Sequence, residues 1–167
     1  MASQQQALFR LAYLLLGDAA EAEDVVQETF IRALRALGSF NTQRPLQPWL
    51  FGIAANLARN RQRSFKRYLT AIRRSFEPVP DTITLSEARA SASWESQTLW
   101  QAIRRLSRSD QEVIYMRYFL ELGEREVAQA LDVAQGTVKS RLSRALARLR
   151  KVIDGDFPLL RAEREAH

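Results

Sequence analysis

The stretch EREVAQALDVAQGTVKSRLSRALARLRK, Glu124 to Lys151, breaks at DVA into two helical patterns. From Gln135 to Lys151 it carries six basic residues and no acidic one. At about 100° per residue, Val138, Leu142, Leu146, Leu149 and Ile153 fall within one arc, an apolar stripe that must pack on something. Roughly opposite lie Thr137, Ser140, Ser143, Arg144, Ala147, Arg148 and Lys151, with Lys139, Arg141 and Arg150 on the flanks. A helix that is merely kept soluble usually mixes both signs of charge and supports itself through i,i+4 pairs. This one offers cations alone. Two helices joined by a short turn, the second polar and basic outside, make the helix-turn-helix pattern.

Working outward, the chain has 167 residues, enough for one or two small domains with a real core. A formal charge of +6 and a pI near 10.3 favour an anionic partner without saying which. There is no cysteine, so disulfides and thiolate chemistry are excluded and nothing points to secretion. No apolar run is long enough to insert in a membrane. LFRLAYLLLGD is interrupted by Arg10 and has neither a cationic start nor a cleavage-like end, so no signal peptide is read. The expected compartment is the cytoplasm.

Almost everything reads as helix, and the expected fold class is all-α. ALFRLAYLLL is a helix closed by Gly17; Asp18 then reads as an N-cap, with Glu21 completing a capping box. The helix that follows runs to about Leu37 and stops at Gly38. The loop SFNTQRPLQ leads into a third helix from about Pro48 to Tyr68. After Leu69 the pattern loosens: EPVPDTITLSEARASAS has two prolines and no sustained period. Such a length without an element reads as an interdomain linker spanning on the order of 30 Å. The expected division is a first domain over 1–68, a flexible linker over 69–95, a second helical domain over 96–153 and a tail over 154–167. In the second domain, Ser109 and Glu112 form a further capping box opening the helix DQEVIYMRYFL.

Charge is segregated. Asp18, Glu21, Glu23, Asp24 and Glu28 come with no cation among them, whereas Arg59, Arg61, Arg63, Lys66, Arg67, Arg73 and Arg74 come with no acid. In the acidic helix Val26, Phe30, Ala33, Leu34 and Leu37 share the face expected to be buried. Asp24, Gln27, Glu28 and Ile31 point away from it. One apolar anchor among carboxylates suits a protein-binding face; an acidic first turn favoured by the helix dipole is the equal alternative, and it explains Glu21 and Glu23 better than Glu28. In the third helix Leu50, Ile53, Leu57 and Trp49 form the apolar set, and Asn56, Arg59, Asn60 and Arg63 one polar stripe. Phe40 lies just upstream with Asn41, Gln43 and Arg44; such aromatics can stack an unpaired base, or they can be core, the larger share for Trp49.

AEDVVQETFIRAL, then WLFGIAANLARN, then REVAQALDVAQGTVKSRLSRAL resemble, in order, the motifs of extracytoplasmic-function (ECF, group IV) sigma factors, from about Leu8 to Ile153. The resemblance implies a sigma domain two and a sigma domain four helix-turn-helix, acting in transcription initiation with core RNA polymerase (β′ clamp helices and β flap) and promoter DNA. It implies that Asp24, Gln27, Glu28 and Ile31 face the clamp helices. It further implies that Phe40, Trp49, Asn56, Arg59, Asn60 and Arg63 serve the −10 element, including a flipped base. Thr137, Lys139, Ser140, Arg141, Ser143, Arg144 and Arg148 would serve the −35 element. An anti-sigma factor is the family expectation for regulation, with no cofactor, no metal and no membrane insertion. The chain departs from the family pattern in an apparently shortened first helix, in Ser107 where a proline is usual, in Asp132 where the turn usually has glycine, and in Gly123 where Ser or Thr usually caps. Asp132 is tolerable there because Asp visits left-handed geometry more readily than most residues.

Three rival readings are open on the residues, one of them a non-specific basic helical protein, which predicts no sequence preference at all. An enzyme has little to work with: the only histidine is His167, there is no cysteine, and no Gly-rich phosphate loop exists. A stand-alone helix-turn-helix regulator shares the second half, but it needs an effector or dimerisation domain and has no use for a base-stacking loop and clustered cations in the first.

Overall fold

The computed structural model describes residues 2–73 and 94–157. Among these the regular structure is helical, in two compact units: one built on three N-terminal helices, the other on the C-terminal ones.

In the first unit α1 (Ala2–Leu16), α2 (Ala19–Ala36) and α3 (Leu46–Arg73) all pack on one another. Gly17 takes a φ of 78°, the left-handed value that lets the chain turn sharply between α1 and α2. Asp18 is the N-cap of α2, its carboxylate accepting the Glu21 N–H at 2.8 Å; a cap of this kind contributes about 1 kcal/mol. The core comprises Leu8, Leu11, Ala12 and Leu15 of α1, Ala22, Val25, Val26, Thr29 and Ala33 of α2, and Leu50, Ala54, Leu57 and Ala58 of α3. Thr29 is tolerated there because its hydroxyl donates to the Val25 carbonyl at 2.6 Å.

Two expectations are corrected in α2. Helical spacing puts Leu34 and Leu37 on the buried face, yet they are 72% and 54% exposed. Phe30 is half-buried. The buried arc is centred on Val25, Thr29 and Ala33, and the last turn of α2 runs beyond the cover that α1 and α3 provide. A short 3₁₀ turn (Leu37–Ser39) follows, and α3 begins at Leu46, so Pro48 lies in its first turn. α3 continues to Arg73, so the linker expected from Leu69 begins inside a helix; most of that linker lies outside the described residues.

In the second unit α4 (Trp94–Arg104) and α5 (Arg108–Ile114) pack against α7 (Gln135–Asp156). Helix α4 thus starts two residues before the domain start expected at Ser96, and α7 extends to Asp156, past the expected tail boundary. The cap of α5 is Ser107 rather than Ser109: its hydroxyl accepts from the Asp110 N–H, while Glu112 is buried within the helix. The family's proline position therefore has a structural use here. Gln111 closes the preceding helix by donating to the carbonyls of Arg104 and Leu106. A π-helical segment (Tyr115–Phe119) extends α5 and gathers Trp100, Tyr115 and Phe119 into one aromatic cluster.

The helix-turn-helix is α6 (Glu124–Leu131), a turn, and α7. Gly123 has no capping side chain, and Glu126 compensates by accepting the Gly123 N–H at 2.7 Å. Asp132 sits at a φ of 52°, and the following Val133 N–H returns to the Ala128 carbonyl at 3.0 Å. This is the left-handed stop of a Schellman turn with aspartate in the usual glycine position. In α7 Val138, Leu142, Ala145 and Leu149 are buried, while Leu146 and Ile153 are only half-buried.

Candidate protein-binding and nucleic-acid interfaces

The outer face of α2 brings together every residue expected there. Asp24, Gln27 and Ile31 are exposed and Glu28 is half-exposed, on one side of the helix. Leu34, three residues after Ile31 and seven after Gln27, joins the same face and widens the single expected anchor into an apolar pair. The periodicity carried this signal, because Leu34 lies between the two arcs and can belong to either.

The carboxylates on this face are not independent. Arg61 of α3 reaches both Glu21 and Asp24, the latter at 3.2 Å. Arg61 lies four residues beyond Leu57 and three beyond Ala58, at the end of the α3 stripe that packs on the other helices. Its side chain therefore emerges against the start of α2 rather than with Asn56 and Arg63. The hydrogen bond to Glu21, with that to Asp24 behind it, holds the Arg61 guanidinium above its usual pKa. Glu21 thus spends its carboxylate on Arg61 rather than on the return half of a capping box. Glu28 accepts from Arg32 at 2.7 Å, and this bond holds its carboxyl below the usual range. Glu28 is accordingly ionised at neutral pH.

The second cluster lies on α3 and the loop before it. Phe40 and Trp49, both half-buried, tilt against one another with ring centroids 4.5 Å apart. Trp49 is therefore neither wholly core nor an open platform; the two rings cover each other at the surface. The loop is held by an Asn41 to Arg44 turn, in which the Gln43 N–H donates to the Asn41 side chain. Along α3, Asn56, Asn60 and Arg63 are exposed and Arg59 half-buried. The Arg59 guanidinium donates to the Asn56 amide oxygen at 3.1 Å, which orients the amide.

On α7, Lys139, Ser140, Ser143 and Arg144 are exposed and Thr137 and Arg141 half-buried, all within the first three turns. The N-cap, Ala134, has no side-chain oxygen, so the leading N–H groups of the helix face outward and favour an anion. Ser140 and Arg144 fold back on the Thr137 and Ser140 carbonyls. One expected member departs from the set. Arg148 is claimed by Asp110 of α5, its Nη1 lying 2.8 Å from both carboxylate oxygens, and the Asp110 side chain is only 5% exposed. Arg148 is thus tied into the fold by an ion pair, with 54% of its side chain still exposed.

Among the described residues no group of carboxylates, histidines or cysteines could hold a metal, and no helix is long and apolar enough to cross a membrane.

The Sigma-70 region 2 family matches residues 1–72 and the Sigma-70 region 4 family matches residues 96–149. The ECF RNA polymerase sigma factor SigW of Bacillus subtilis is 35% identical over 153 residues, covering 86% of this chain and 81% of SigW. SigL of Mycobacterium tuberculosis, also an ECF RNA polymerase sigma factor, is 36% identical over 148 residues, covering 86% of this chain and 80% of SigL. Among solved structures, the sigma factor RpoE in complex with the anti-sigma factor NepR from Bartonella quintana superposes with a TM-score of 0.72 at 28% identity, over 93% of this chain and 94% of that one. CnrH in complex with the cytosolic domain of CnrY gives 0.65 at 26% identity, over 93% and 85%. With both sigma regions matched in order and relatives aligned over most of their own length, the chain belongs to the ECF family of RNA polymerase sigma factors, which act in transcription initiation.

Proposed function

We propose that the three surfaces divide the work of a sigma factor. The outer face of α2, with Ile31 and Leu34 as apolar anchors and Asp24, Gln27 and Glu28 around them, docks on core RNA polymerase. Phe40 and Trp49, with Asn56, Arg59, Asn60 and Arg63, serve the −10 element, where the paired rings part to receive an unstacked base. Thr137, Lys139, Ser140, Arg141, Ser143 and Arg144 lie in the major groove of the −35 element: small polar side chains at base edges, cations on phosphates. Arg148 has no place in this contact. The units divide as a sigma domain two and a sigma domain four, the chain has no catalytic centre of its own, and it works in the cytoplasm. The RpoE structure is a complex with the anti-sigma factor NepR, which supports control of this chain by a partner of that class.

The observation that carries the reading is the bare apolar pair on α2. Leu34 is 72% exposed and Ile31 43% exposed, a cost in water that a docked partner removes. The test is co-elution of the purified chain with core RNA polymerase on a sizing column, beside Asp24→Lys/Glu28→Lys. Wild type co-eluting and the double variant eluting alone is the expected result. Wild-type binding by the double variant reduces the acidic face to helix-dipole chemistry. A chain that ignores polymerase but shifts duplex DNA alone is a helix-turn-helix regulator instead.

A further inference from the structure

Gln135 opens α7 and stands outside the residues that the sequence pointed to on that helix. It is exposed, and its side-chain amide makes no hydrogen bond among the described residues. Capping does not use it either. The cap position is Ala134, and the Thr137 and Val138 N–H groups close the first turn on the Ala134 carbonyl. Lys139 and Ser143, both exposed, follow at i+4 and i+8. The three side chains therefore form one row along the helix, drifting about 40° at each step.

Gly136 supplies a second observation. A Cβ at this position would meet nothing within 4 Å, and the backbone there is ordinary right-handed helix. Glycine inside a helix is less stable than alanine, and here neither packing nor a left-handed turn asks for it. What remains is close approach from outside, which a missing side chain permits. Gly136, Ser140 and Ser143 lie within an arc of about 60°, a low strip on the exposed side of α7. Gln135 and Lys139 stand along one edge of that strip and Arg144 along the other. A base pair reached from the first edge meets a neutral amide, with one acceptor oxygen and an NH₂ donor. That pair matches the N6 donor and N7 acceptor of adenine in the major groove, whereas guanine offers two acceptors and suits a cation.

We propose that Gln135 is a specificity-determining residue of α7, reading an adenine on either strand of the −35 element through its side-chain amide. This rests on the −35 reading of α7 and adds to it a base contact one turn before Lys139.

The test uses holoenzyme reconstituted from core RNA polymerase and the full-length chain. It is offered a duplex promoter library randomised over the −35 element, and the bound sequences are counted. Wild type is expected to prefer adenine at one position by about tenfold, and Gln135→Ala to lose that preference while keeping the others. Gln135→Glu is expected to move the preference there to cytosine, because a carboxylate accepts from the cytosine N4 amino group. Thermal unfolding of Gln135→Ala should stay near that of wild type, since the side chain has no partner in the fold. Gly136→Ala should raise the unfolding midpoint and yet weaken binding to all −35 sequences alike. An unchanged preference profile in Gln135→Ala overturns the proposal. So does a loss spread evenly over all positions, which is the mark of a phosphate contact. Gly136→Ala binding as tightly as wild type also overturns it, because the DNA then lies away from the first turn. Arg144→Ala, run alongside, separates the two readings. If it alters the profile where Gln135→Ala does not, only the Gln135 proposal fails. If wild type itself shows no positional preference, α7 does not read the −35 element and both fail.

Discussion

Replacing Arg148 by alanine separates a structural cation from the DNA-facing ones beside it on the same helix. The guanidinium holds Asp110 through Nη1, 2.8 Å from each carboxylate oxygen, across 38 residues of sequence. Asp110 is nearly enclosed, with 5% of its side chain exposed, whereas Arg148 is 54% exposed. Removing one partner of a fully buried pair costs about 3–5 kcal/mol, most of it the penalty on the charge left behind. Two features reduce that here. Water reaches the Arg148 side of the pair, and Asp110 occupies the first turn of α5, where the helix dipole favours an anion. A loss of about 2 kcal/mol is expected, or roughly 8–16 °C in Tm for a domain of this size. The assay is thermal and urea unfolding of the full chain. The double variant Asp110→Ala/Arg148→Ala should recover part of the loss, because it leaves no orphaned charge. Arg144→Ala is the counterpart: unfolding unchanged, with −35 binding weakened by about 1–3 kcal/mol if it reads a base. If Arg148→Ala melts with wild type and loses −35 binding instead, Arg148 is a DNA contact and the ion-pair reasoning is refuted.

Two further expectations concern single residues, Tyr115 and Asp132. The Tyr115 hydroxyl is buried with no hydrogen-bond partner, and burial pushes its pKa up to about 12. Tyr115→Phe should therefore stabilise the chain by about 1 kcal/mol in urea unfolding. The folded pKa is raised above the unfolded value near 10, so this group's contribution is present below pH ~10 and is lost as the pH rises toward ~12; the phenylalanine variant should lack that part of the decline. Asp132, at a φ of 52°, should gain up to about 1 kcal/mol on replacement by glycine and lose more on replacement by valine; equal unfolding midpoints for the three chains would contradict the strain at that turn.

What could be read from the residues alone was local. The Asp18 cap, the Gly17 turn and the α6–turn–α7 pattern depend on neighbours within four or five positions, and backbone hydrogen bonding decides them at that range. Helical periodicity likewise gathered Asp24, Gln27, Glu28 and Ile31 on one face. Periodicity says which residues share an arc, however, and leaves open how much of that arc a neighbour covers. Leu34 and Leu37 lie at the rim of the α2 stripe, and only the extent of packing from α1 and α3 left them bare. The choice of Ser107 over Ser109 as cap turned on where α4 ends, since both serines have acidic residues three positions on. The long-range ion pairs were out of reach altogether: Arg61 and Arg148 each stand in a run of cations with nothing local to distinguish them. Their roles were decided by which carboxylate the tertiary fold set within a few ångströms, Glu21 and Asp24 for one and the buried Asp110 for the other.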